Sequence, residues 1–324
     1  MKYDVIAVGE LLADLAETGK NGAGYPVFSA NPGGAPANFL AALAKCGKKT
    51  AFIGKVGCDA FGDRLTATLA EAGIDTAGIV HDPDVFTTLA FVTLDTHGER
   101  SFSFARKPGA DTMLREDEIP YEMIDQAQVL HFGTLSLTDE PARAATQAAV
   151  AYAKVHGKLI SFDPNYRAPL WPSEEAAKAQ MRWGLAQADV VKMSIEEAQL
   201  LWGCDCMEAQ AADRLLESAA FVFITLGSEG AYFASRTERG YVRYTGELHV
   251  TDTTGAGDIF GGTALSVILD RIFVEASEHA ASFAAARACA AASLSVERPG
   301  GISSVPDAGD VDAHLGQVRI EIIK

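Results

Sequence analysis

An α/β fold, with a mostly parallel sheet covered by helices on both faces, is what this sequence predicts. Short apolar runs that read as buried strands alternate with stretches of helical period along most of the chain. Composition agrees, because 48% hydrophobic and 22% charged residues are ordinary for a folded protein and exclude disorder. At 324 residues the chain exceeds one simple core, so a major domain with a small appendage is expected.

The elements follow in order. Residues 3–9 form an apolar run ending in glycine, a buried strand. A helix over 37–46 stops at Gly47, and 50–54 is the next strand. The helix over 61–72 has Asp59 as its cap and Gly73 as its stop. The same rhythm gives strands over 128–132, 158–163, 190–193 and 220–225, and helices over 141–156, 174–186, 195–202 and 210–217. Residues 241–244 read as strand, and 259–272 are apolar at helical spacing without proline. One segment breaks the pattern. Residues 87–104 alternate around Asp95-Thr96-His97-Gly98, which predicts a hairpin. With 11–29 it makes two excursions, readable as surface decoration or as a small β lid.

Charge and cysteine content narrow the partners. A formal charge of -16 gives no footprint for nucleic acid or for an anionic membrane. Five cysteines (Cys46, Cys58, Cys204, Cys206, Cys289) are odd in number and lack zinc-ligand spacing, so they read as reduced thiols. Asp4, Glu10 and Asp14 interrupt the first apolar run, which argues against a secretory leader, and no run approaches the ~18 apolar residues of a spanning helix. A soluble cytoplasmic protein is expected.

The most informative stretch is Asp252-Thr253-Thr254-Gly255-Ala256-Gly257-Asp258, before the helix over 259–272. Glycine lets the backbone turn sharply and lets a ligand approach closely. Unpaired N–H groups at a helix start suit an anion such as a transferring phosphate. A carboxylate among them, Asp258, can take a proton from an attacking hydroxyl while the N–H groups hold phosphoryl oxygens. The plainer reading is a helix capped by Thr253 or Thr254 after a Gly-rich turn. The dinucleotide fingerprint fails because Phe260 stands where glycine is needed, and Gly47-Lys48-Lys49-Thr50 is not a Walker A loop.

This stretch resembles the C-terminal signature of the ribokinase-like (PfkB) carbohydrate kinases. The N-terminal signature is matched by Gly33-Gly34-Ala35-Pro36-Ala37-Asn38 and by Gly54-Lys55-Val56-Gly57-Cys58-Asp59 with Phe61-Gly62. The resemblance implies a three-layer α/β/α core over 1–10, 33–84 and 111–324, with a β lid over 11–32 and 85–110. It implies ATP as phosphoryl donor with Mg²⁺, Asp258 as general base, and the backbone of Gly255, Ala256 and Gly257 as the anion hole. Sugar contacts are implied for Asp14, Gly34 and Asn38, and ATP contacts for Lys192, Ser194, Thr225, Gly227 and Gly230. Glu197 is implied near Mg²⁺ through water. A monovalent cation, K⁺, is implied beside Asp252, Thr254, Val296, Gly300 and Ser304, where the plain alternative is a Pro-Gly-Gly turn. The family also implies a homodimer through the lid, with Phe91, Phe102 and Phe104 as candidates for its apolar face.

The acceptor is read from Asp163-Pro164-Asn165-Tyr166-Arg167, at the end of a predicted strand where open α/β sheets bind ligands, and from Arg106 in the lid. Arg167 offers a planar fork for several oxygens, or an ordinary ion pair. These segments resemble those of fructokinases, which makes the 6-hydroxyl of fructose the expected acceptor. 2-Keto-3-deoxygluconate kinase and ribokinase are the enzyme alternatives, and a catalytically silent sugar sensor or scaffold is the alternative of another class.

Overall fold

The computed structural model describes residues 1–94, 100–272 and 279–323. Ten strands form one sheet: β1 (Tyr3–Val8), β4 (Thr50–Gly57), β5 (Ile74–Asp82), β8 (Ala127–Gly133), β9 (Leu159–Asp163), β10 (Val190–Ser194), β11 (Phe221–Thr225), β12 (Ala231–Ser235), β13 (Arg239–Tyr244) and β14 (Val318–Ile322). Their order is β14-β13-β12-β11-β10-β9-β8-β1-β4-β5. Strands β11 through β5 in that order pair in parallel, and β12, β13 and β14 add antiparallel. A second sheet, in the order β3-β2-β6-β7, contains β2 (Leu12–Lys20), β3 (Pro26–Gly33), β6 (Leu89–Leu94) and β7 (Arg100–Ala105).

Helices cover the large sheet on both faces. Among the described residues these are α1 (Ala35–Lys45), α2 (Ala60–Glu71), α3 (Tyr121–Asp125), α4 (Ala142–Val155), α5 (Glu174–Leu185), α6 (Ile195–Trp202), α7 (Glu208–Leu215), α8 (Ala256–Ile272), α9 (Ala280–Ser295) and α10 (Ala308–His314). The alternation of side chains along a strand divides the core. On β1, Ile6 and Val8 join a cluster with α3 to α7, and Val5 and Ala7 join the opposite cluster with α1, α2, α8, α9 and α10. All four side chains are fully buried. Val5, Ile6 and Val8 each contribute about 1.5–3 kcal/mol by leaving water, and the small Ala7 side chain less.

Several elements differ from the sequence reading. Helix α8 starts at Ala256, which brings Asp258 into its first turn. Strands β5, β12 and β14 and helices α9 and α10 were not read from the sequence. The predicted hairpin exists as β6 and β7, but its turn at 95–98 lies outside the described residues.

The second signature motif has a structural explanation. Asp59 caps α2 by accepting from the N–H groups of Phe61 and Gly62, both at 2.9 Å, and its other oxygen accepts from Thr87 N–H at 2.8 Å, at the root of the lid. A Cβ on Gly62 would stand 2.1 Å from the Gly57 carbonyl, so only glycine lets the helix start so close to β4. Lys55 is buried and pairs with Asp82 and Glu118, both at 2.9 Å. It is an internal tie and lies away from the cavity. Because Asp59 satisfies three N–H groups, Asp59→Ala is expected to lower unfolding free energy by ~2 kcal/mol in a urea titration. A loss under ~0.5 kcal/mol would show that water replaces those bonds without cost.

Candidate active site

A cavity of about 500 Å³ lies between the lid sheet and the C-terminal ends of β1, β9, β10 and β11. The start of α1 and the start of α8 close its floor. This is where an open α/β sheet presents its ligand-binding groups.

Asp258 sits at the centre, 9% exposed. Asn38 Nδ2 donates to its Oδ2 at 2.9 Å, and Asn165 Nδ2 donates to its Oδ1 at 3.3 Å. Asn165 reaches it from a left-handed backbone conformation, φ 48°, that asparagine tolerates better than most residues. Burial pushes the Asp258 carboxyl up to about 6, and the charge of Asp163 adds to the rise. Lys192, the Asn38 hydrogen bond and Arg167 pull it back only in part. A carboxylate in that position is a better proton acceptor than one in water.

The backbone around Asp258 is shaped for an anion. Gly255 has φ +77°, and a Cβ there would meet Gly301 Cα at 2.9 Å. The first rung of the α8 ladder runs from Ile259 N–H to the Gly255 carbonyl at 2.8 Å, so the N–H groups of Gly257 and Asp258 precede it. Gly255 and Gly257 line the cavity. Ala256 does not, and its N–H turns toward the Thr253 carbonyl at 3.4 Å.

Lys192 brings positive charge to the same place. A Cβ on Gly257 would stand 2.8 Å from Lys192 Nζ. Burial alone would lower the lysine, but the carboxylates of Asp163, Glu197 and Asp258 outweigh it and raise its pKa. Asp163 Oδ2 holds Nζ at 2.9 Å. Asp163 itself lies behind the wall, with Oδ1 buried and without a hydrogen-bond partner.

The remaining predicted residues divide between wall and support. Asp14, Gly34, Asn38, Asn165, Arg167, Lys192, Ser194, Thr225 and Glu197 line the cavity. Burial pushes Asp14 up to about 6, with Arg167 opposing and Asp252 adding. Glu197 accepts from Tyr166 N–H at 2.7 Å and Ser194 N–H at 2.8 Å, and Ser194 Oγ accepts from Glu197 N–H, a reciprocal cap of α6. Arg106 is off the wall: Asp111 takes its Nε and Nη2, Thr138 takes Nη1, and Leu135 carbonyl also takes Nη2. Gly227 and Gly230 are also off the wall. They shape the turn after β11, where a Cβ on Gly230 would meet the Val242 carbonyl at 2.0 Å.

The five residues of the cation reading form a clasp. Asp252 Oδ1 accepts from Thr254 N–H and hydroxyl, and Oδ2 accepts from Gly300 N–H at 2.9 Å. The Val296 carbonyl accepts from Thr251 and Asp252 N–H, and the buried Ser304 hydroxyl donates to Gly301 carbonyl. Asp252, Thr254 and Gly300 reach the cavity, and Val296 and Ser304 do not.

Two groups carried no assignment from sequence. Glu10 lines the cavity with its carboxylate buried. His131 lies beneath α1, stacked on Phe39 with ring centroids 3.6 Å apart, and burial pushes it down to about 3, so it is neutral packing. A Glu in an apolar run at a strand end was the available signal for the first.

A Gly-lined helix start, a buried carboxylate and a lid over strand ends define a phosphotransferase of the α/β class. The pfkB family carbohydrate kinase model matches residues 2–308, and the chain belongs to that family. It is 39% identical over 316 residues to a probable fructokinase-4 of Arabidopsis thaliana, covering 96% of each chain. It is similar to the Xylella fastidiosa fructokinase crystallised with bound ATP, at TM-score 0.87 and 33% identity, covering 98% of this chain and 99% of that one. It is also similar to the Vibrio cholerae O395 fructokinase in its fructose-, ADP- and calcium-bound form, at TM-score 0.83 and 32% identity, covering 97% and 100%.

The raised Asp258 pKa has a stability consequence. Its folded value of about 6 lies above the usual 3.8, so the folded state binds the extra proton and stability falls as pH rises between those values. Asp258→Asn removes the buried charge. The variant is expected to melt several degrees above the parent at pH 8, with the gain vanishing near pH 4. An equal or lower melting temperature at pH 8 would show that Lys192 and the two amides fully offset the burial.

Proposed function

We propose that this chain is an ATP-dependent fructokinase, transferring the γ-phosphoryl group of ATP to the 6-hydroxyl of fructose. The observation that carries the reading is the Asp258 carboxylate, held by two amides at the mouth of the Gly255–Gly257 helix start and facing the covered cavity. The hydroxyl oxygen attacks the γ-phosphorus, the bond to the β-phosphate oxygen breaks, ADP leaves, and the hydroxyl proton passes to Asp258. The backbone of Gly255 and Gly257 and the Lys192 ammonium hold the charge that spreads over the phosphoryl oxygens; Ala256, expected beside them, has its N–H turned to the Thr253 carbonyl and stands off the wall.

Fructose would lie against Asp14, Gly34, Asn38, Asn165 and Arg167, and ATP against Lys192, Ser194 and Thr225, with Gly227 and Gly230 fixing the turn beside it. Arg106 and Asp163 act from behind the wall, through Asp111 and Lys192. The charge of the wall supports a neutral sugar over a sugar acid. At the lid end it carries Asp14 and Glu17 against Arg167, and Arg106 is already committed. A carboxylated acceptor would have to displace Asp111 from Arg106 or meet Arg167 beside two wall carboxylates.

Magnesium is the divalent ion of this reading. Among the described residues no group of three His, Cys, Asp or Glu side chains is placed to hold a metal. The ion would be carried by the nucleotide phosphates with several of its waters kept. Glu197 would hold such a water with the lone pairs its two backbone bonds leave free. A potassium ion would sit beside Asp252 and Thr254, where Val296 carbonyl already accepts two N–H groups. The lid closes out water that would otherwise compete for the phosphoryl group.

We also propose a homodimer through the lid. Its support is the exposed edge at β3, with Val27 42% and Phe28 37% exposed and Phe28 edge-on to Phe91 at 6.0 Å. Phe104 faces the cavity instead, and the Phe102 side chain is outside the described residues. A cytoplasmic location is supported by five free cysteines. No helix among the described residues is long and apolar enough to cross a membrane.

A coupled ADP-release assay with MgATP tests the reading against fructose, 2-keto-3-deoxygluconate, ribose, glucose and adenosine. Fructose is expected to give the highest kcat/KM by about tenfold or more, with Asp258→Asn losing about 10²–10⁴-fold. A different preferred acceptor would overturn the fructose assignment and leave the kinase chemistry. Sugar binding without turnover of any acceptor would favour a sensor.

A further inference from the structure

Glu10 follows β1 in the wall of the cavity, and no step of the proposed transfer uses it. The residue is 2% exposed. Its Oε1 accepts from the N–H of Ala35 at 2.9 Å, 25 positions along the chain. That N–H belongs to the first turn of α1, a turn poor in partners of its own. Gly34 at the cap position has no side chain to offer, and Pro36 has no N–H. The N–H groups of Ala37 and Asn38 both turn back to the Gly34 carbonyl at 3.1 Å. Ala35 therefore holds the donor left for an outside acceptor, and Glu10 supplies that acceptor.

The main chain of Glu10 grips the same turn. Gly34 has φ +119°, and a Cβ on it would stand 2.5 Å from the Glu10 carbonyl. One helical turn further along α1, Asn38 donates to Asp258 at 2.9 Å. Its amide is wedged in place: a Cβ on Gly255 would stand 3.2 Å from Asn38 Nδ2, and one on Gly301 would stand 2.2 Å from Oδ1. A small rotation of α1 would thus move the amide against Gly255 and Gly301 or draw it off the carboxylate.

We propose that Glu10 is a positioning residue: as the side-chain cap of α1, supplied from the segment after β1, it sets where Asn38 meets the Asp258 carboxylate. The proposal rests on the kinase reading and deepens it. Burial pushes the Glu10 carboxyl up to about 7, against its backbone hydrogen bonds and the charge of Arg106, with Asp111 adding to the rise. A group that is half protonated near neutral pH serves here as a hydrogen-bond acceptor more than as a charge. The neutral amide of glutamine, with the same reach, should replace it.

Glu10→Ala and Glu10→Gln in the full chain test this, with fructose and MgATP. The alanine variant is expected to lose about ten- to a hundredfold in kcat/KM for fructose, with KM for MgATP unchanged because Lys192 and Thr225 stand on other elements. The glutamine variant is expected to stay within about threefold of the parent. A carboxyl-carbon NMR titration of Asp258 reads the positioning without turnover. Loosening the Asn38 bond should raise its pKa in the alanine variant and leave it in place in the glutamine variant. A folded alanine variant that matches the parent in both readouts overturns the proposal, as does a glutamine variant as impaired as alanine. If the parent phosphorylates no sugar, the kinase reading fails and the titration alone decides the positioning.

Discussion

The buried Asp258 carboxylate is the constraint around which this molecule is arranged. A charge held away from water is costly unless hydrogen bonds and opposite charges surround it. Two amides meet that need, and each requires its own backbone device. Asn38 depends on a helix start that can approach only because Gly34 lacks a side chain. Asn165 depends on a left-handed turn directly after β9. Gly255 and Gly257 leave room for Asn38 and Lys192 beside the carboxylate. The large sheet supplies rigidity beneath these parts, because Asp163, Lys192 and Thr225 lie at the ends of neighbouring parallel strands.

The cavity is electrostatically tense before any ligand enters. Glu10, Asp14, Glu197 and Asp258 all titrate above their ordinary range, each chiefly because of burial. Lys192 is a largely buried cation among them, and Asp163 holds it against the helix start. A nucleotide bringing its own divalent cation would relieve part of that tension, which suits a chain with a net charge of -16 that must still capture an anion. A neutral acceptor adds no further charge.

Much of this was legible in the sequence, for identifiable reasons. The parallel strands carry continuous apolar runs and the turn before α8 carries its glycines in a fixed spacing, so both announce themselves locally. What escaped is what depends on distant partners. Helix α9 is apolar nearly all round, being packed between sheet and neighbouring helices, and so shows no amphipathic period. Strand β14 is an edge strand with mostly exposed residues and reads as a polar tail. The resemblance puts Arg106 at the sugar, but in the fold Asp111, five residues on, and Thr138 and the Leu135 carbonyl take its donors. Asp163 reads as a ligand from its place at a strand end, yet its neighbour Lys192 takes it. Glu10 could not be assigned because its partner is 25 residues away.

On the proposed reading Asp258 takes the acceptor's proton with a carboxyl tuned by burial. The pH dependence of kcat/KM for fructose, with the phosphoryl donor saturating at every pH, tests it most directly. An acid limb with an apparent pKa of about 6 is expected, as the base is lost to protonation. A profile flat to pH 5, with its fall near the ordinary carboxylate range, would contradict it.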